Sequence, residues 1–143
     1  MNNKGKALEE KFRNWCGELG VYCQRFYDAR SMGHANAGGR PADFWVYSGS
    51  HLSLVEVKDY KNSNVLPFKA FRPSQFKGFK DSQHHGFDYY VFVRLKGGLY
   101  IISMRFVVDF IEVNIKNRSS VPENFFKEHG LTINSRDDLR GML

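Results

Sequence analysis

Cysteine is scarce in this chain: Cys16 and Cys23 are the only two in 143 residues, and they lack metal-ligand spacing. Such a chain is no disulfide scaffold, and both thiols suit a reduced interior, so the expected setting is intracellular and cytoplasmic. Long apolar runs are missing too. No stretch approaches the roughly 20 residues a membrane helix needs, and Met1-Asn2-Asn3-Lys4 leads into a charged helix rather than a signal peptide. No internal repeat and no low-complexity linker divides the chain. Acidic side chains are outnumbered, 15 against 21 Lys and Arg, for a net charge of +6 and a pI near 9.4. That balance favours a polyanionic partner. An apolar share of 42 % with 15 % aromatics argues against disorder. The length suits one domain, residues 1–143, able to bury its own core.

Leu8, Phe12, Trp15 or Cys16, and Leu19 recur at helical spacing, which predicts an amphipathic helix over 3–19 closed by Gly20. Glu9 lies about 100° round from Leu8, at the border of the apolar stripe. By pattern alone it is a solvated first-turn glutamate favoured by the helix dipole. A short strand over 21–27 precedes a loop over 28–39, rich in Gly, Ala, Asn and Ser, which with Arg40 carries Arg30 and His34. Arg30 and Arg40 could touch a phosphate backbone from there.

Residues 59–72 read as a basic loop. Pro73 fits the first turn of a helix reaching about Gln83, with Phe76 and Phe79 on its buried face. Gln75, four before Phe79, lies on nearly the same side, where it can reach a neighbouring site or cap its own helix. Between residues 60 and 80 stand five basic side chains, Lys61, Lys69, Arg72, Lys77 and Lys80, and no acidic one. They are candidate phosphate contacts. His84-His85 suits a helix end.

A second hairpin is expected over 87–95 and 99–103, around Lys96-Gly97-Gly98. Its near-continuous apolar runs read as buried central strands. The helix expected over 105–114 carries Phe106, Val107, Phe110, Ile111 and Val113, more apolar surface than one stripe needs, so it is expected to pack on a partner as well. Beyond Lys116 the pattern weakens to a short helix with Phe125 and Phe126, an extended piece over 131–133 and a charged end.

The most informative stretch is 40–58. Phe44 to Tyr47 is aromatic and β-branched, Ser48-Gly49-Ser50 is turn chemistry, and 52–58 alternates with period two, so the stretch reads as a β-hairpin. Leu52, Leu54, Glu56 and Lys58 then share one face, Glu56 and Lys58 about 6.6 Å apart along it. A turn centred near Gly49 pairs Asp43 with Val55 or Glu56. Asp43, Glu56 and Lys58 therefore meet at one strand end. Two carboxylates and a lysine so arranged suit metal-assisted phosphodiester hydrolysis: hard oxygens hold Mg²⁺, and the amine orients or deprotonates the attacking water and counters developing negative charge. A Glu-Lys pair alone is an ordinary edge-strand feature; Asp43 across the hairpin is what favours the site.

Asp43 followed by Glu56-Val57-Lys58 resembles the PD-(D/E)xK nuclease core. Gly5 to Glu9, the run Glu56-Val57-Lys58-Asp59-Tyr60-Lys61-Asn62-Ser63, and Pro67-Phe68 before Pro73-Ser74-Gln75 resemble the RecU-type Holliday junction resolvases, over roughly residues 3–104. The resemblance implies a restriction-endonuclease-like α/β core, with a mixed, mostly antiparallel five-stranded sheet and helices on both faces. It implies a Mg²⁺-dependent endonuclease, with Mn²⁺ substituting, that cuts four-way DNA junctions by paired nicks as a homodimer. Asp43, Glu56 and the Val57 carbonyl would bind metal, Glu9 would help hold it, Lys58 would activate water, and Gln75 would assist at the scissile phosphate. RecU proteins carry near 28–39 a longer stretch forming a stalk that enters the junction; here that stretch is short. Two rivals stay open: a nuclease of the same core acting on flap or duplex DNA, and a non-catalytic DNA-binding protein.

Overall fold

The computed structural model describes residues 4–27 and 39–143. The expected loop with Arg30 and His34 therefore lies outside the described residues, apart from its last position. The organising strand is β3 (His51–Asp59), in which every side chain from Ser53 to Lys58 is buried. It follows β2 (Phe44–Ser48) through a two-residue turn at Gly49 and Ser50, with φ of 56° and 69°. Positive φ at both central positions matches the twist of the flanking strands and fixes the register at Ser48 opposite His51 and Phe44 opposite Val55.

Outside that hairpin, β1 (Tyr22–Arg25) pairs antiparallel with β2. On the other side β5 (Asp88–Leu95) runs parallel to β3, and β6 (Gly98–Ser103) returns antiparallel. A parallel neighbour needs a crossover, and this one carries α2 (Pro73–His85). The sheet order is β1-β2-β3-β5-β6-β8, six strands rather than the expected five, because β8 (Leu131–Thr132) adds to Tyr100 and Ile101 of β6. The fold is thus α/β with a mixed, mostly antiparallel sheet.

A second correction concerns residues 59–72. Instead of one loop they include β4 (Val65–Pro67), paired in a separate small sheet with β7 (Ser120–Pro122), and a 3-10 turn over Phe68–Ala70. Strands of two or three residues leave no measurable period.

Because successive strand residues alternate faces, two cores form. On one side α1 (Lys4–Glu18) lays Leu8, Phe12 and Cys16 onto Phe44, Val46, Val55, Val57 and Phe92. On the other, α3 (Met104–Asn114) and α4 (Glu123–His129) bury Met104, Val107, Ile111 and Phe126 against Leu54, Val91, Val93 and Ile102. Among the described residues no helix is long and apolar enough to cross a membrane.

Candidate active site

Asp43 precedes β2 by one residue and extends its ladder: its N–H donates to the Val55 carbonyl at 3.2 Å, which sets its side chain beside the middle of β3. Both carboxylate oxygens are engaged. Oδ2 accepts the Val57 backbone N–H at 2.8 Å, and Oδ1 accepts Arg40 Nη2 at 3.0 Å. Glu56 is buried on the face of β3 toward α2. Its Oε2 receives Lys58 Nζ at 2.7 Å and Gln75 Nε2 at 2.8 Å. Its Oε1 is buried and has no hydrogen-bond partner among the described residues.

Lys58 Nζ also donates to the Ala70 carbonyl at 2.5 Å and to Gln75 Oε1 at 3.3 Å, and it lies 5.0 Å from the centre of the Phe71 ring. A buried ammonium needs such company, and the aromatic face adds to it. Gln75 fulfils both roles left open for it. Its Oε1 caps α2 by accepting the Arg72 N–H at 2.9 Å, while its two polar ends bridge Lys58 and Glu56. The helix is docked tightly enough to hold that bridge. A β-carbon on Gly78 would stand 2.7 Å from Pro41 Cβ and 2.8 Å from its carbonyl oxygen, and Tyr89 Oη donates to that same carbonyl at 2.5 Å.

Glu9 enters from α1, where Arg25 of β1 holds its Oε2 at 2.7 Å. Reading the sequence alone misses Arg25. The signal was period two: Cys23 and Arg25 turn toward α1, whereas Tyr22 and Gln24 are exposed. Two of the carboxyls sense the Asp43 charge. Burial, then the Asp43 charge, pushes the Glu56 pKa up to about 8 against the opposing pull of Lys58. The same two causes raise Glu9, with Arg25 pulling the other way.

Among the described residues no group of three or more His, Cys, Asp and Glu side chains forms a metal cluster. Each carboxylate is instead held by a cationic side chain, Glu9 by Arg25, Asp43 by Arg40 and Glu56 by Lys58. The donor chemistry nevertheless suits a hard divalent cation. Glu56 Oε1 is a buried acceptor without a partner among the described residues, and a cation between carboxylates would relieve both causes that raise Glu56 and Glu9, burial first and then the Asp43 charge.

The proposed DNA contacts divide. Arg30 lies outside the described residues, and Arg40 faces inward to Asp43 and the Phe26 carbonyl. Lys61, Lys69 and Arg72 are exposed. Lys77 is exposed but paired with Asp81 at 3.2 Å, and Lys80 lines a groove between α2 and α3. A cleft of about 410 Å³ opens beside the site, lined by Gly5, Val57, Lys58 and residues 59–63.

No protein-family model matches the chain, and no curated protein matches it in sequence. Among solved structures it is similar to Archaeoglobus fulgidus Hjc, a Holliday junction resolvase from an archaeal hyperthermophile. The TM-score is 0.61 at 16 % identity, covering 90 % of this chain and 95 % of that one. At that identity the likeness is one of architecture: this chain has the α/β fold of Hjc, a mixed sheet flanked by helices.

Proposed function

We propose that this chain is a divalent-metal-dependent endonuclease that cuts four-way DNA junctions by paired nicks, working as a homodimer of the RecU type. The observation that carries the reading is the convergence of Asp43, Glu56, Lys58 and Gln75 at one end of β3. The fold shared with a Holliday junction resolvase supports the choice of substrate.

Asp43 and Glu56, with the Val57 carbonyl and Glu9, would hold Mg²⁺ or Mn²⁺. When bound, the cation polarises the scissile phosphate and neutralises charge developing on its oxygens. Lys58, whose amine is held by Glu56, Gln75 and the Ala70 carbonyl, would orient the attacking water and counter charge on the phosphate oxygens. Gln75 assists at the phosphate while fixing the spacing of Glu56 and Lys58. Exposed Lys61, Lys69 and Arg72, with Lys77 and Lys80, hold the backbone of the DNA. Two copies related by a two-fold axis supply two sites for two strands.

Incubation with Mg²⁺ and labelled junction, flap and duplex DNA side by side tests the proposal. Paired cuts should appear on the junction. Asp43→Asn and Glu56→Gln should each lose about a thousandfold or more in rate, since the cation supplies several kcal/mol of charge stabilisation. Both should bind the junction as well as before or better, because carboxylate repulsion of phosphate is reduced. Brisk cutting by either variant would remove them from the metal site. Preferential cutting of flap or duplex would retain the chemistry and replace the substrate.

A further inference from the structure

The two carboxylates at the end of β3 each commit one oxygen to the protein. Asp43 gives Oδ2 to the Val57 N–H inside the sheet, and Glu56 gives Oε2 to Lys58 and Gln75. That leaves Glu56 Oε1 and Asp43 Oδ1. The first is buried without a partner among the described residues; the second is held by Arg40 Nη2 at 3.0 Å. A guanidinium and a divalent cation at one carboxylate oxygen repel each other strongly where solvent is largely excluded. Asp43 is buried and the Arg40 side chain is 22 % exposed, so screening there is partial.

Among the described residues the other hydrogen bond of Arg40 is a long one, from Nη1 to the Phe26 carbonyl at 3.4 Å. Arg40 stands next to exposed Gly39, on a long side chain able to swing outward. A guanidinium suits a phosphate oxygen pair as well as a carboxylate. We infer that Arg40 is a displaceable counter-ion of Asp43: a divalent cation expels it, and the freed guanidinium takes a phosphate of the bound DNA. The inference rests on the metal site proposed above and adds a regulatory property to it. Cation and DNA then favour each other, and by linkage each raises the affinity of the other by the same factor. A purely structural Arg40–Asp43 pair predicts the reverse: its loss would disorder Asp43 and weaken metal binding.

The test uses the full chain, with Arg40→Gln and Arg40→Lys. Mn²⁺ uptake without DNA is read from the spin-resonance signal of the free ion. Junction affinity is read by fluorescence anisotropy in EDTA and in Ca²⁺, a hard cation of larger size that stands in for Mg²⁺. Arg40→Gln should take up Mn²⁺ about fivefold more tightly than the wild type, the scale of one charged hydrogen bond in a half-screened site. Ca²⁺ should raise wild-type junction affinity by more than it raises that of Arg40→Gln, which keeps only the gain from the cation itself, and the difference should be about fivefold. Arg40→Lys, which keeps the charge without the fork, should lie between the two in both measurements. It carries the test alone if melting shows Arg40→Gln unfolded. Unchanged or weaker Mn²⁺ uptake in the variants, or a Ca²⁺ gain as large in them as in the wild type, overturns the counter-ion role and leaves the metal site standing. A wild-type chain that takes up no Mn²⁺, with or without junction, overturns the metal site and this inference together.

Discussion

A carboxyl as deeply buried as Glu56 gives up its proton late. Burial and the Asp43 charge hold its pKa at about 8, well above the ordinary carboxyl value of 4.5. Between those two values the folded chain keeps a proton that the unfolded chain has released, so folding stability falls as pH rises through that window. The contribution is complete below about 4.5 and gone above about 8. Glu56→Gln removes the titration. In metal-free buffer its melting temperature should therefore gain on the wild type from pH 5 to pH 8, and a gap that does not change with pH would show that Glu56 ionises normally. Since the ionised form is the one that binds a cation, metal affinity should climb over the same range. The positions of Asp43, Glu56 and Lys58 were legible from period two and a turn at Gly49. The bridge made by Gln75 and the orphaned Glu56 Oε1 were not, because helical phase fixes a side and not the distance across it. Arg25 went unread because a strand arginine looks like solvent-facing charge until α1 is packed over it.

Among the elements, the fit of α2 against residues 39–42 decides where Asp43 stands. Gly78 faces Pro41 so closely that an added β-carbon would meet Pro41 Cβ at 2.7 Å, its carbonyl oxygen at 2.8 Å and its Cα at 3.0 Å. Gly78→Ala sets two effects against each other. Helix propensity favours alanine by about 1 kcal/mol. Overpacking costs about 1–3 kcal/mol, and here two of the three opposing atoms are backbone, which cannot rotate aside. Overpacking should win, lowering the melting temperature by several degrees. Cleavage should fall further than stability accounts for, because Pro41 pushed outward carries Asp43 with it. An active Gly78→Ala chain of unchanged stability would mean that the contact relaxes without cost. Both hairpins, α1, α2 and α3 were readable, since each spans enough residues to show its period. β4 and β7 were not: they exist through their partners, at Val65 opposite Pro122, and of the extended piece expected over 131–133 only the pairing that makes it β8, Tyr100 opposite Thr132, went unread.

At the scale of the molecule, charge and apolar surface answer different questions. Backbone binding through the basic stretch should make junction affinity fall steeply with salt. Alanine at Lys61, Lys69 or Arg72 should each lower the log–log slope by about one if it meets a phosphate, with less change at Lys77, already paired with Asp81. Slopes unchanged in all of them would move the DNA surface elsewhere. The excess apolar character of α3 was legible, but part of it is used within the chain. Phe110 packs on Phe68 and Phe125, and Phe106 stacks on His129. The apolar stripe of α1, Leu8, Phe12 and Cys16, is likewise consumed by the sheet. What remains is the outer side of α3, with Phe106 41 % and Val113 78 % exposed, and a separate groove of about 480 Å³ between α2 and α3 lined by Phe76, Phe79, Val108 and Ile111. Its rim carries Lys80 and Arg105 but also Asp109 and Glu112, and a surface of mixed sign can pair with its own copy across a two-fold axis. The dimer proposed for paired cutting is therefore expected through α2 and α3. Sedimentation at low micromolar concentration without DNA should find two copies together. Val113→Glu, on a side chain too exposed to disturb folding, should weaken that association about tenfold or more by setting a charge in an apolar contact. The same variant should turn paired cuts into single nicks. A wild-type monomer that makes single nicks would favour the flap nuclease over the resolvase.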